Sequence, residues 1–159
     1  MYSVEIIIKN GFNCNWATFF IGRKYKLIST IDVTNYAVRY IENNPAVNDN
    51  NILELAWEND EEKVDEILGE IIADNSLEIL NKEYHKWLFS LVEEVYSKST
   101  EENIFIEIET IFYLFNTPPE MHDFFRKVSD AYHYPTDSQQ NIKEVIEEFL
   151  TIEKQLILN

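Results

Sequence analysis

The sequence predicts an all-α fold: a single-domain bundle over residues 1–159, of about six to eight amphipathic helices, irregular rather than a regular repeat. Three observations carry that expectation. Apolar residues recur at spacings of three and four along most of the chain, the mark of a helix with about 3.6 residues per turn. Only three Gly and four Pro occur among 159 residues, too few for a turn-rich β-sandwich or a glycine-looped nucleotide fold. No fixed internal period appears, so a solenoid has no support.

The elements follow in order. Val4–Lys9 holds three consecutive isoleucines, which fit a strand or a first helical turn, and β-branching favours the strand. Gly11 then breaks it. Asn13 or Asn15 can cap a helix carrying Trp16, Phe19 and Phe20 and reaching toward Tyr25, with Gly22 a weak point. Arg23, Lys24 and Lys26 near its end complement the helix dipole, a simpler account than a phosphate site. Ser29 or Thr30 opens the next helix, with Val33, Tyr36, Ala37, Tyr40 and Ile41 inward. Asn43-Asn44-Pro45 stops it.

From Ile52, two short helices flank a break at Glu58–Asp60. In the second, Val64, Ile67, Leu68, Ile71 and Ile72 make the inner stripe. Glu62, Glu66 and Glu70 fall on the opposite face, with Asp65 at its flank. The longest stripe is Leu77–Tyr96, where Leu77, Leu80, Tyr84, Trp87, Leu88, Leu91, Val92 and Val95 share one side and Asp74, Asn75 or Ser76 can cap the start. At ~1.5 Å per residue it spans roughly 30 Å, enough to organise a domain. Residues 102–115 alternate like a strand at Ile104, Ile106 and Ile108, but Phe105, Ile108, Phe112 and Phe115 also make a helical face. Length and flanking caps favour helix. Pro118 and Pro119 end it and can open a helix with Met121, Phe124, Phe125 and Val128. Residues 132–140 read as a loop, and Ile142, Val145, Ile146, Phe149 and Leu150 as a terminal amphipathic helix.

Charge is the strongest compositional fact. The net charge is −16, and it is uneven: residues 1–50 carry five basic and four acidic side chains, residues 51–159 eight and twenty-five. Solubility alone accounts for an acidic surface. The sharper reading is a surface that attracts a basic protein, while direct nucleic-acid binding and anionic membranes are disfavoured by repulsion. Cys14 is the only cysteine, so no internal disulfide can form, which fits a reducing cytosol. Ile6–Ile8 is too short a run for a signal-peptide core or a span. The expected location is the cytoplasm.

Motifs for catalysis are missing. The chain has no GxxxxGK[ST], GxSxG or HExxH. Cys14 reads as a small buried thiol rather than a nucleophile. His85, His122 and His133 are scattered, and Asp130-Ala-Tyr-His133 is a lone Asp-x-x-His where a bundle dimetal site needs paired Glu-x-x-His sequences. No catalytic residue, metal ligand or cofactor is expected. Trp57, beside Glu58 at the break before the acidic helix, is more ordinarily a core residue, but an aromatic there can anchor an interface.

Several strings, in order, resemble a family of small acidic bacterial proteins that are often encoded beside polymorphic toxins. They are Trp16 followed by Gly22, Ile52-Leu53-Glu54-Leu55-Ala56, Val64-Asp65-Glu66-Ile67-Leu68, Trp87-Leu88 and Pro118-Pro119-Glu120-Met121, spread over residues 12 to 135. The resemblance favours helix for Val4–Lys9. It implies an immunity-like role: binding and neutralising a cognate toxin domain, without catalysis and with no catalytic residues to carry over. If that toxin is a basic nuclease, an acidic partner can steer into its cleft and exclude the substrate. The expected contact surface is then Trp57, Asp60, Glu62, Asp65, Glu66 and Glu70. The competing expectations are a small helical carboxylate-based, metal-dependent enzyme and a cytoplasmic adaptor.

Overall fold

Most helix starts in this chain are set locally, by side chains that reach the first free N–H groups, although the helices at Glu5–Lys9, Ile104–Leu114 and His122–His133 have no such cap. A computed structural model describes residues 1–137 and 139–159. Among them every regular element is helical: nine α-helices and one 3-10 turn. The all-α expectation holds, with short helices such as five-residue α1 and six-residue α4 contributing to the count.

Val4–Lys9 resolves as helix α1 (Glu5–Lys9). Gly11 ends it at φ +83°, a left-handed geometry that glycine adopts without a Cβ penalty, and Gly11 and Phe12 donate back to Ile8 and Ile7 carbonyls. Asn15 and Thr18 form a reciprocal capping box at the start of α2 (Trp16–Lys24). Ser29 and Asp32 do the same for α3 (Thr30–Asn43). Asp49 caps α4 (Asn50–Leu55), and Asp60 caps α5 (Glu61–Ile71). Ser76 accepts the Ile79 N–H at the start of α6 (Leu77–Lys98). Helix α7 (Ile104–Leu114) settles the ambiguous isoleucine run as helix, burying Ile104, Ile108, Ile111 and Phe112. Pro119 opens the 3-10 turn Pro119–Met121, which leads into α8 (His122–His133). The loop expected over 132–140 includes Ser138, which lies outside the described residues. Asn141 caps α9 (Ile142–Leu158).

The chain divides into two compact units, Met1–Glu83 and Tyr84–Asn159. In the first, α2, α3, α4 and α5 pack on one another around Phe19, Leu27, Ile28, Val33, Leu55 and Leu68. Tyr36 joins α3 to α2, edge-on to Trp16 at 4.7 Å and stacked on Phe19 at 4.2 Å. In the second, α8 packs against both α7 and α9. Phe112 stacks on Phe125 at 4.7 Å and Phe124 on Phe149 at 3.9 Å.

Helix α6 differs from its expected one-sided burial. Leu77, the first residue of the stripe, is 84% exposed, whereas Glu83 through Val92 are buried without interruption. A helix buried all round must pair its polar side chains, because an unpaired buried charge is costly. Glu83 accepts from Thr18 Oγ1 at 2.6 Å and from Asn15 Nδ2 at 3.2 Å. His85 Nδ1 meets Glu153 Oε2 of α9 at 2.6 Å. Tyr84 donates to Glu120 at 3.0 Å. No described helix is long and apolar enough to cross a membrane.

Candidate partner-binding face

The acidic helix starts from a tight break. After α4, Trp57 turns into solvent, 83% exposed. The next residue, Glu58, folds its carboxylate back onto its own backbone, where Oε1 accepts from the N–H groups of Asn59 and Asp60, both at 2.9 Å. Those bonds, Asp60 first, hold the Glu58 carboxyl below its ordinary range. Lys63 Nζ lies 3.8 Å from its other oxygen. Asp60 then accepts the Lys63 N–H at 3.0 Å as the cap of α5. The break is thus tied by short-range hydrogen bonds.

Along α5 the acids divide into two groups. Glu62, Glu66 and Glu70 are exposed and one turn apart. Asp65 and Glu61 instead turn to a cation. Arg23 of α2 is 7% exposed; its Nε and Nη2 donate to the two Asp65 oxygens at 2.7 and 2.9 Å, and Nη2 also to Glu61 at 2.6 Å. Its Nη1 reaches the Ile28 carbonyl at 2.9 Å. A bidentate carboxylate is the partner geometry a planar guanidinium fits best. The Asp65 bonds, ahead of those to Glu61, raise the guanidinium's pKa and keep it charged.

This arrangement sorts the six expected contact residues. Trp57, Glu62, Glu66 and Glu70 are exposed and available. Asp60 is exposed while serving as a helix cap. Asp65 is only half-exposed and ties α5 to α2. Arg23 also departs from its expected role as a cation complementing the dipole at the end of α2: it points inward, because two acids on α5 and the Ile28 carbonyl offer it a partly dry seat with four hydrogen bonds. Forty-two residues separate Arg23 from Asp65, so no local pattern announces the pair.

The other candidates also find places. Cys14 is half-buried beside Tyr36, whose hydroxyl is pushed to higher pKa mainly by burial, with Cys14 and Tyr40 adding to it. His133 Nδ1 lies 3.0 Å from the Ser129 carbonyl, and Asp130 lies 3.6 Å from Arg126. Among the described residues no three His, Cys, Asp or Glu side chains gather closely enough to hold a metal ion. No spacing in the sequence marks the buried His85–Glu153 pair, whose members are 68 residues apart.

Compared with known families, residues 4–154 match the one described as an uncharacterized protein conserved in bacteria, DUF2247. The chain belongs to the DUF2247 family. The match reaches into both compact units and ends within α9. No curated protein and no solved structure matches the chain.

Proposed function

We propose that this DUF2247 protein is a non-catalytic inhibitor of immunity type, which binds a basic toxin domain through the outer face of α5 and the preceding break. The observation that carries the reading is Trp57, a large aromatic 83% exposed at the break before α5, the helix on which Glu62, Glu66 and Glu70 are exposed. An exposed tryptophan just before an acidic helix has the composition of an interface anchor: the indole supplies burial on binding, and the acids supply attraction and orientation. A net charge of −16 favours a basic partner and speeds its encounter, with strong dependence on salt. The sequence resemblance to proteins encoded beside polymorphic toxins supplies the class of partner. A basic nuclease domain is the specific expectation, because its phosphate-binding cleft complements this face.

The experiment is association kinetics against the toxin-like domain encoded next to the gene, at two salt concentrations. Reversing Glu62, Glu66 and Glu70 to Lys slows association and flattens its salt dependence, and Trp57→Ala speeds dissociation. Equal rates and equal salt slopes for wild type and triple mutant would assign the face to solvation alone.

A further inference from the structure

The second unit contains a cavity of about 280 Å³, lined from α6, the 3-10 turn, α8 and α9. Its apolar wall is the Phe124–Phe149 stack, flanked by Ile152 and Leu156, which lie one turn apart on α9 and are about half exposed. Its polar lining is acidic: Glu120, Asp123, Glu148 and Glu153, against Lys127 and His85. These acids are not equally engaged. Asp123 is held by Arg126 at 2.7 Å and Lys127 at 3.3 Å. Glu120 accepts one hydrogen bond from Tyr84, and Glu148 sits 3.9 Å from Lys127. A carboxylate offers about four acceptor positions, so Glu120 and Glu148 keep capacity for further donors.

Two of the lining groups, His85 and Glu153, are buried and meet each other, Nδ1 to Oε2, at 2.6 Å.

Size and lining together define what fits. Small-molecule sites usually measure roughly 300–1,000 Å³, so this cavity suits one long side chain better than a cofactor. The side chain needs an apolar stem for the phenylalanine wall and a cationic head for the acids. We propose that the cavity receives an arginine side chain presented by a protein partner. Arginine is favoured over lysine because its five donors spread in a plane and can serve several acceptors at once. A second copy of this chain is a poor occupant, since each copy carries −16. The inference rests on a surface separate from α5 and does not depend on the inhibitor reading.

The test is an NMR titration of the labelled full chain with a capped amphipathic peptide of leucine and arginine. A matching peptide carries citrulline, the neutral isostere of arginine. The arginine peptide shifts the signals of His85, Phe149 and Ile152, and the citrulline peptide binds at least about tenfold more weakly, as loss of charged hydrogen bonds requires. Glu148→Gln, and separately Ile152→Ser with Leu156→Ser, weaken the arginine peptide by a similar factor while circular dichroism stays unchanged. All three positions are exposed, so the fold is spared. Changing Glu62, Glu66 and Glu70 to Gln leaves binding unaltered. Equal affinity for the two peptides, or indifference to the cavity variants, would overturn the proposal. So would concentration-dependent shifts at Ile152 and Leu156 without peptide, which would make this a self-interface. Peptide binding that only the α5 variants weaken would also overturn it, while leaving the inhibitor reading standing.

Discussion

Helices α5 and α9 are both acidic and amphipathic, yet they hold their inward charges in opposite ways. On α5 the buried member of the pair is the cation: Arg23 is 7% exposed, while Asp65 and Glu61 stay in contact with water. On α9 the acid itself, Glu153, is buried, and so is its partner His85. The difference teaches where charge is structural and where it is free. A carboxylate at a water boundary can hold a cation cheaply, because solvent still stabilises its own charge. A pair withdrawn from water depends wholly on its partner, and losing one side strands the other. The remaining α5 acids, Glu62, Glu66 and Glu70, have no such duty in view, which is why that face can be given to a partner.

The apolar yardstick for these comparisons is Trp87, 0% exposed in the middle of α6. Trp87→Ala is expected to cost about 3–5 kcal/mol by urea denaturation, through lost burial plus a cavity. Glu153→Ala should approach that cost, about 3–5 kcal/mol, because His85 is left buried without its acceptor. Replacing His85 and Glu153 together by leucine should recover much of the loss. A double mutant as unstable as the single one would mean that the pair contributes shape rather than charge compensation.

Asp65→Ala should cost less, about 2–3 kcal/mol, since Arg23 keeps Glu61 and the Ile28 carbonyl and Asp65 is half in water. If Asp65→Ala were as costly as Glu153→Ala, the contrast drawn between the two helices would collapse. Reversing Glu62, Glu66 and Glu70 should shift stability by only tenths of a kcal/mol per pair, since like charges one turn apart repel weakly in water. A shared unfolding midpoint with a changed association rate is the expected combination.

The smallest effect concerns acid titration at the break. Backbone N–H groups depress the Glu58 pKa from its usual 4.5, so its contribution is present above the unfolded value and is lost as pH falls through the folded one. Glu58→Gln should therefore flatten the low-pH edge of the stability curve while leaving neutral pH nearly unchanged. An identical acid profile for wild type and variant would show that the turn forms without the ionised carboxylate.

What the sequence determined by itself is most of the helices and many of their ends; at Val4–Lys9 the residues favoured a strand, and α8 runs through His133 into the expected loop. Asn15, Ser29, Asp60 and Asn141 cap through bonds spanning two or three residues, and Gly11 and Pro119 act on their own turns. Such signals are local, so they can be read in order along the chain, and the helical period also named most of the inward faces. Tertiary structure alone decided what covers each face. Trp57, at a break where core burial was the more ordinary outcome, is 83% exposed. Arg23 looked like a helix-end cation until Asp65 arrived from 42 residues away, and His85 and Glu153 meet across 68. Period fixes the direction in which a side chain points relative to its own helix axis. Whether water, a carboxylate or another helix waits there depends on segments distant in sequence, whose approach no local spacing encodes.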